Sequence, residues 1–522
     1  MRHRLPRRFL SAVISLLIIV TAIPAAALPV SAAAYSGSCG SGVSYQLDTA
    51  TGALTVTGSG AMTDYSSSSA SPWYSYRSSI TSVTVGNGVT HIGSYAFAGL
   101  SSISDLSIGS GVKTIGSYAF SGCTSLTSAV IPDGVTSLET GVFASCSTLG
   151  SVVIGKGVTT MKYLFEGCNS LEAVYFNATA MKNDSSNQIV PNSATQKLKT
   201  IYVGSNVTAI PGGLLVLIPK VKSVVFTANS LCTAFNDRAF AYGHFLESIT
   251  APYSLTSIGN EAFLQCQLLT SISLNSNLKT IGDEAFSGCA SLQLIDIPDG
   301  VSTLGNSLFE GCNSLKTATI GNGTSRMGFS CFMGCSSLES VTIGNSLVSI
   351  PRSTFENCTK LSSVTLGSSV TSVELMAFSG CTSLKSIVLP EGVTLLAPLA
   401  FYNCTSLENV TIPESLKDVS NVFMGCSSID TVHYNGSSQG WQQIGGIGAF
   451  GNAEIICAKD KAGDANRDGK VTNADALLML RHIFSPSSYS LNKSAADLDG
   501  NGTISNNDLL LLYRIIYEGE NV

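Results

Sequence analysis

A repeat of 23 residues constrains this chain of 522 residues more than any other feature. Successive units begin with Leu338, Leu361 and Leu384, and each is close to L-x-x-V-x-I-x-x-x-V-x-x-I-x-x-x-x-F-x-x-C. The pattern recurs sixteen times, and its spacing slips to 22, 25 or 27 residues in only a few units. The units begin at residues 80, 103, 126, 149, 171, 198, 221, 246, 269, 292, 315, 338, 361, 384, 407 and 429.

The first half of each unit has the pattern of a half-buried strand. Apolar residues alternate over its first six positions, and a turn such as "PDG", "GNG" or "PEG" follows. A single unit cannot bury its own apolar side, so neighbouring units must stack and share one continuous core. The sequence therefore predicts an α/β repeat solenoid with a parallel sheet along one face.

One phenylalanine recurs at a fixed position of the unit. An aromatic row of this kind can serve as a sugar platform, but a fixed interior position is more typical of a core spine. The spine is predicted to contain Phe97, Phe120, Phe143, Phe165, Phe240, Phe263, Phe286, Phe309, Phe332, Phe355, Phe378, Phe401 and Phe423.

Eleven of the fifteen cysteines lie three residues after this phenylalanine. Many cysteines in an exported protein usually indicate disulfides, and the distance between adjacent units would not exclude bridges. Leu100, however, replaces the cysteine in one unit, which is how a small buried apolar position behaves. We predict a ladder of reduced thiols at Cys123, Cys146, Cys168, Cys266, Cys289, Cys312, Cys335, Cys358, Cys381, Cys404 and Cys426.

The two tryptophans of the chain mark the two ends of the repeats. Residues 33–75 carry an alternating stretch that predicts a β cap leading to Trp73, and the segment around Trp441 departs from the repeat. A solenoid needs caps because its terminal units expose the shared core. We therefore expect both tryptophans to serve in capping, with a ligand role as the secondary interpretation.

A polar insertion, residues 177–197, interrupts the repeats. Insertions in solenoids form surface loops that often border a binding face. Tyr175 and Tyr202 flank this insertion at the same outward strand position, where most units have Ser, Thr or Val. Two such tyrosines could form a platform for a sugar ring or a protein loop, and an ordinary cross-strand pair is the alternative.

Residues 1–32 have the pattern of a secretory signal peptide: an arginine-rich start, an apolar stretch and a small-residue cleavage site ending at Ala32. Pro24 and Pro29 argue against the alternative of a retained membrane anchor. After this segment, no other stretch is long and apolar enough to span a bilayer. We therefore expect an exported protein whose mature form has no membrane span.

Charge and histidine placement argue against nucleic-acid binding and catalysis. Without the signal peptide the chain has 24 basic and 34 acidic residues and no Lys/Arg cluster, whereas phosphate binding needs concentrated basic charge. Residues far apart in a solenoid rarely converge on one catalytic site. The cysteines do not form the C-x-x-C pairs of a zinc site. The remaining histidines, His91, His244, His433 and His482, are isolated in sequence.

Two segments near the C-terminus have the oxygen-rich spacing of calcium-binding loops. They are "DANRDGKVTNAD" (464–475) and, 33 residues later, "DLDGNGTISNND" (497–508), each followed by a leucine-rich helical pattern. No helix is predicted before the first loop, so this is not an EF-hand. We expect two Ca²⁺ ions, held by Asp464, Asn466, Asp468, the Lys470 carbonyl, Thr472 and Asp475, and by Asp497, Asp499, Asn501, the Thr503 carbonyl, Ser505 and Asp508.

These patterns resemble two known families. Residues 76–455 resemble the BspA-like leucine-rich repeat, whose members are generally extracellular recognition or adhesion proteins. After a linker at 456–461, residues 462–522 resemble a type I dockerin, which implies Ca²⁺-dependent docking onto the cohesin modules of a scaffoldin. The resemblance places the cohesin contacts, with two possible docking orientations, at Asn473, Ala474, Leu480, Arg481, Asn506, Asn507, Tyr513 and Arg514.

The Ser-Thr pair common in dockerins is absent from these contact positions, so the cohesin class is not indicated. Together the features predict a secreted, non-catalytic recognition or adhesion protein that docks into a cell-surface or cellulosome-type complex, its repeats binding a protein or a glycan. One alternative is a carbohydrate-binding or glycoside-hydrolase component of polysaccharide degradation. The other is a structural spacer without a ligand.

Overall fold

The computed structural model describes residues 35–181, 197–214, 220–446, 448–459, 461–466, 470–489 and 491–518. The predicted signal peptide and most of the predicted insertion, residues 182–196, lie outside this part of the chain. Across the described ranges, no helix has the length and apolar character that a membrane crossing requires.

Each of the sixteen predicted units supplies a first strand that begins two residues after the predicted start. These strands lie side by side and parallel, which confirms the predicted solenoid. They are β5 (Ser82–Val85), β7 (Asp105–Ile108), β9 (Ser128–Val130), β11 (Ser151–Ile154), β13 (Ala173–Phe176), β14 (Thr200–Val203), β16 (Ser223–Phe226), β18 (Ser248–Thr250), β20 (Ser271–Ser273), β22 (Leu294–Ile297), β24 (Thr317–Ile320), β26 (Ser340–Ile343), β28 (Ser363–Thr365), β30 (Ser386–Val388), β32 (Asn409–Ile412) and β33 (Thr431–Tyr434).

A second row of short parallel strands comes from the V-x-x-I part of the units, with β4 of the N-terminal cap added at one end, and the sequence analysis did not predict it. The units therefore form two parallel rows of strands rather than one, and turns fill the rest of each unit. The second row contains β4 (Gly60–Ala61), β6 (Val89–Ile92), β8 (Thr114–Ile115), β10 (Ser137–Thr140), β12 (Thr160–Lys162), β15 (Ala209–Ile210), β17 (Ala234–Phe235), β19 (Ser257–Ile258), β21 (Thr280–Ile281), β23 (Thr303–Leu304), β25 (Arg326–Met327), β27 (Ser349–Ile350), β29 (Ser372–Val373) and β31 (Leu395–Leu396).

The core lies between the two rows and is continuous along the repeats. Alternation sends every second strand residue inward, so Val341 and Ile343 are buried while Thr342 faces solvent. The recurrent phenylalanines stack along the core in two runs, from Phe97 to Phe165 and from Phe240 to Phe423; the ring centroids of Phe263 and Phe286, for example, lie 5.0 Å apart. The predicted spine is therefore present as an interior column.

The fifteen cysteines are free thiols, and each of the eleven that recur in register forms the same type of hydrogen bond. In each, the Sγ–H group donates to the backbone carbonyl of the phenylalanine one unit earlier; the distance is 3.2 Å from Cys312 Sγ to Phe286 O. Burial raises the pKa of Cys312 to about 12, so its reactive thiolate form is scarce. A small buried side chain with a weak donor explains why cysteine recurs here.

Both ends of the repeats are extended by strands that the repeat count did not include. At the N-terminal end, β1 (Tyr35–Gly40), β2 (Val43–Asp48) and β3 (Ala53–Gly58) form an antiparallel meander, and β3 continues the first row in parallel with β5. At the other end, β34 (Glu454–Cys457) pairs in parallel with β33. Two 3₁₀ turns, Ser68–Ala70 and Tyr74–Tyr76, follow the meander.

Both tryptophans are buried at the ends of the phenylalanine column. Trp73 stacks on Phe97 with ring centroids 5.4 Å apart, and its Nε1–H donates to the Ala96 carbonyl. Trp441, on the short helix α1 (Ser438–Gln443), packs against Phe450. Both indoles thus cover the last aromatic rings of the column.

Candidate functional site

The C-terminal region has its own small core, separate from that of the repeats. It is formed by the helices α2 (Asn473–Phe484), α3 (Lys493–Ala496) and α4 (Asn506–Glu518). Met479 of α2 and Leu512 of α4 are fully buried within it. These contacts bring the two leucine-rich helices together and place both predicted calcium loops at helix N-termini.

The second loop is organised around Asp508, whose side chain is fully buried in the first turn of α4. Its Oδ1 accepts hydrogen bonds from the backbone N–H groups of Leu498 (2.8 Å) and Asp499 (3.2 Å). Its Oδ2 accepts from the N–H (2.8 Å) and the hydroxyl (3.0 Å) of Ser505. The Asp508 carboxylate thus connects the start of the loop, at Leu498 and Asp499, with its end at Ser505.

These hydrogen bonds favour the charged form of Asp508. Burial acts to raise the pKa of its carboxyl, but the amides of Ser505, Asp499 and Leu498 and the Ser505 hydroxyl outweigh burial and hold the pKa below its ordinary value. Asp508 is therefore a carboxylate at neutral pH.

Three carboxylates of the second loop converge on one point. Oxygens of Asp497, Asp499 and Asp508 all lie within 4.8 Å of one another. Backbone N–H groups of Asn501 and Gly502 donate to Asp497, which bends the loop around the same point. Hard oxygen ligands gathered around one centre fit Ca²⁺, and a cation would relieve the repulsion among the three charges.

The first loop repeats this arrangement around Asp475, which is also fully buried. Asp475 Oδ1 accepts from the Asn466 N–H, and Oδ2 accepts from the N–H and hydroxyl of Thr472. Thr472 is also the N-cap of α2, so the loop and the helix start are built together. Asp464 is buried here as well, whereas the predicted ligand Asp468 lies outside the described residues.

The residues predicted to contact cohesin lie on the outer sides of α2 and α4. Asn473, Ala474 and Arg481 are exposed on α2, and Leu480 is half-buried. Their counterparts on α4 are exposed: Asn506, Asn507, Tyr513 and Arg514.

The structure adds exposed apolar residues to both helices that the sequence analysis did not select. Leu477 and Phe484 lie on the outer side of α2, and Leu510 and Tyr517 lie at the equivalent places on α4. Exposed apolar side chains at i, i+3 and i+7 of a short helix were the signal in the sequence that could have identified them.

Tyr175 and Tyr202 are direct partners on the adjacent strands β13 and β14. Their ring centroids lie 5.1 Å apart and their planes are inclined by 17°. Each ring therefore covers one face of the other, and Val153 and Val225 hold the same register position on the next strands. What the half-buried pair presents to solvent is mainly ring edges and hydroxyls, which suits hydrogen bonding better than stacking on a sugar.

One histidine that is isolated in sequence has close partners in the structure. His91 Nε2 lies 3.1 Å from Asp64 Oδ1, and its Nδ1 lies 2.5 Å from Thr114 Oγ1. Asp64 Oδ1 also accepts from the Ser94 N–H at 2.6 Å, so it joins the N-terminal cap to the first unit. The group lies on the outer side of the second row. Its hydrogen bonds connect the N-terminal cap with the first two units.

Comparison with known protein families gives two matches. The family described as "BspA type Leucine rich repeat region" matches in six copies over residues 71–187, 233–362 and 348–455, which is more than half of the chain. The family described as "Dockerin type I domain" matches residues 462–516. No curated protein sequence matches the chain.

Comparison with solved structures gives bacterial leucine-rich repeat proteins. A leucine-rich repeat protein from Bacteroides ovatus is 25% identical, with a TM-score of 0.51 over 80% of this chain and 99% of that chain. One from Eubacterium ventriosum is also 25% identical, with a TM-score of 0.31 over 70% and 94% of the two chains. The pneumococcal vaccine antigen PcpA is 21% identical, with a TM-score of 0.35 over 59% and 94%.

Proposed function

Because the chain belongs to the BspA-type leucine-rich repeat family and carries a type I dockerin domain, we propose that it is a secreted recognition protein that docks onto cohesin. The dockerin would attach it to a scaffoldin, and the repeats would display a binding face within a cell-surface or cellulosome-type complex. The observation that supports this proposal most is the duplicated loop closed by a buried aspartate at the start of a helix.

Calcium is proposed to complete this docking site. In the second loop Asp497, Asp499 and Asp508 would hold one ion with Asn501, Ser505 and the Thr503 carbonyl, and the first loop would hold a second ion. The ion supplies positive charge that lets several carboxylates occupy one small volume. The loop residues in turn fix the N-termini of α2 and α4, so both outer helix faces depend on the ions for their position.

Docking is proposed to use the exposed apolar and arginine residues of these helices. Tyr and Arg side chains contribute most strongly to protein–protein interfaces, and Leu510, Tyr513 and Arg514 lie close together on α4. The test is whether the full chain binds a type I cohesin in Ca²⁺ and releases it when the ion is chelated.

The repeats are proposed to act by binding and not by catalysis. Both matched families are non-catalytic. The proposed face is the outward row of the first strands between β9 and β16, where Val130, Val153, Tyr175, Tyr202 and Val225 are consecutive partners. In the units from β24 to β28 the same row is threonine, so the apolar stretch is local.

A protein surface or a glycan that hydrogen-bonds to the two tyrosine hydroxyls is the proposed ligand. We expect residues 35–459 to bind at least one component on arrays of cell-wall glycans, mucins and bacterial surface proteins. The Tyr175→Ala/Tyr202→Ala variant should lose that binding by about tenfold or more, because paired aromatic anchors dominate small interfaces.

The Thr319→Ala/Thr342→Ala variant is the matched control, because these residues occupy the same outward row on adjacent strands. Equal binding by both variants would contradict a site at the tyrosines. Hydrolysis of an array polysaccharide would favour the degradation alternative. No binding to any component would favour a spacer.

A further inference from the structure

The two helices of the dockerin offer two related docking faces that are not equally available in the structure. We define the first face as Asn473, Leu477, Leu480, Arg481 and Phe484, on α2. The second face is its equivalent 33 residues later on α4: Asn506, Leu510, Tyr513, Arg514 and Tyr517. The sequence symmetry suggests two equivalent orientations, but the contacts of the two faces differ.

The first face is engaged at its N-terminal end by the opposite helix. Tyr517 Oη donates a hydrogen bond of 2.9 Å to Asn473 Oδ1. Phe484 occupies the position on α2 that is equivalent to Tyr517 and has no hydroxyl, so the symmetric bond to Asn506 cannot form. The contact therefore occupies one of the two asparagines and leaves the other accessible.

Arg481 of the first face also has a partner within the protein. The Arg481 guanidinium lies over the Tyr489 ring, 5.8 Å from the ring centroid. Tyr489 is held in place because His482 Nδ1 donates to its carbonyl at 2.7 Å. Among the described residues, the side chains of the counterparts Arg514 and Asn506 form no hydrogen bond, ion pair or ring contact.

The chemistry of the second face is also better suited to a partner. Tyr513 replaces Leu480 and Tyr517 replaces Phe484, so the second face combines two tyrosines with an arginine. The two tyrosine rings lie 6.0 Å apart with planes inclined by 20°, beside the exposed Leu510. Tyrosine and arginine are enriched among the residues that contribute most to binding, whereas leucine is under-represented.

We propose that α4 carries the primary cohesin-binding face and that the Tyr517–Asn473 hydrogen bond biases docking toward this orientation. The inference rests on the proposed function, since the partner is a cohesin. Docking through the first face requires Asn473 and Arg481 to give up their internal partners. Docking through the second face uses Asn506 and Arg514, which have no such partner among the described residues. It uses the exposed ring of Tyr517, and the hydroxyl of Tyr517 can stay bonded to Asn473.

The test compares matched double variants of the full chain in Ca²⁺, with the best binder from a panel of type I cohesin modules as the probe. Leu510→Ala/Tyr513→Ala is expected to weaken binding by about 100-fold or more. Leu477→Ala/Leu480→Ala, which removes the equivalent residues of α2, should change binding less than about threefold. Circular dichroism and calcium titration confirm that both variants fold.

A third variant tests the hydrogen bond itself. Tyr517→Phe, added to Leu510→Ala/Tyr513→Ala, frees Asn473 while keeping the ring, and should recover affinity about three- to tenfold. Equal losses from the two double variants, a larger loss from the α2 variant, or no recovery with Tyr517→Phe would overturn the inference while cohesin binding itself stands. If no cohesin binds the unmodified chain, the proposed function fails, and the inference fails with it.

Discussion

Asp508→Ala is expected to remove one of the two proposed calcium ions and to loosen the start of α4. Asp508 is fully buried, and its carboxylate accepts four hydrogen bonds from Leu498, Asp499 and Ser505. Truncation leaves these donors unsatisfied and removes one of three converging carboxylates. We expect calcium affinity at the second loop to fall by at least about 100-fold.

The measurement is calorimetric calcium titration of the full chain, in which the stoichiometry should fall from two ions to one. Glu518→Ala is the matched control, because it removes an exposed carboxylate from the same helix. This control should still bind two ions. Retention of two tight ions by Asp508→Ala would contradict the role assigned to the buried aspartate.

Phe309→Ala is expected to destabilise the repeats by about 3–5 kcal/mol. The Phe309 ring is fully buried and lies 5.4 Å from the ring of Phe286 and 5.2 Å from that of Phe332, measured between centroids. Its removal leaves a cavity that the two neighbouring units can fill only by giving up their own stacking. Because each unit touches only its neighbours, the loss should begin locally and spread along the array.

The midpoint of chemical unfolding, followed by far-UV circular dichroism, measures this effect. Phe329→Ala is the control, because that ring is partly exposed and covered by the Arg352 guanidinium, 4.5 Å from its centroid. We expect its midpoint to shift by less than a third of the Phe309→Ala shift. Comparable shifts would mean that the phenylalanine column is not the main stabilising element.

The first row of strands could be predicted from sequence because alternation and a fixed period are local signals. The second row could not, because strands as short as Thr280–Ile281 are too brief to show alternation. The left-handed residues at the following corner were also unpredictable: Glu284 has φ of 53° and Ser307 has φ of 49°. Their amides donate to the Asn306 and Phe329 carbonyls of the next unit, so contacts between units determine a conformation that neither residue favours alone.

The convergence of the acidic side chains in the second loop could be anticipated for a different reason: the spacing of residues such as Asp497 and Asp508 is visible in the sequence itself. The asymmetry of the helix faces could not, because the Tyr517–Asn473 contact joins residues 44 apart and depends on how α2 and α4 pack. The stacking of Tyr175 on Tyr202 likewise depends on strand register, which continues across the predicted insertion.

We propose that this chain is a recognition protein attached to its complex through a calcium-dependent dockerin. Titration of the full chain with type I cohesin modules, in Ca²⁺ and after chelation with EGTA, tests it most directly. We expect one-to-one binding in Ca²⁺, its loss in EGTA and its return when Ca²⁺ is restored. Absence of binding to every cohesin while both calcium ions are bound, or binding that does not depend on Ca²⁺, would contradict the claim.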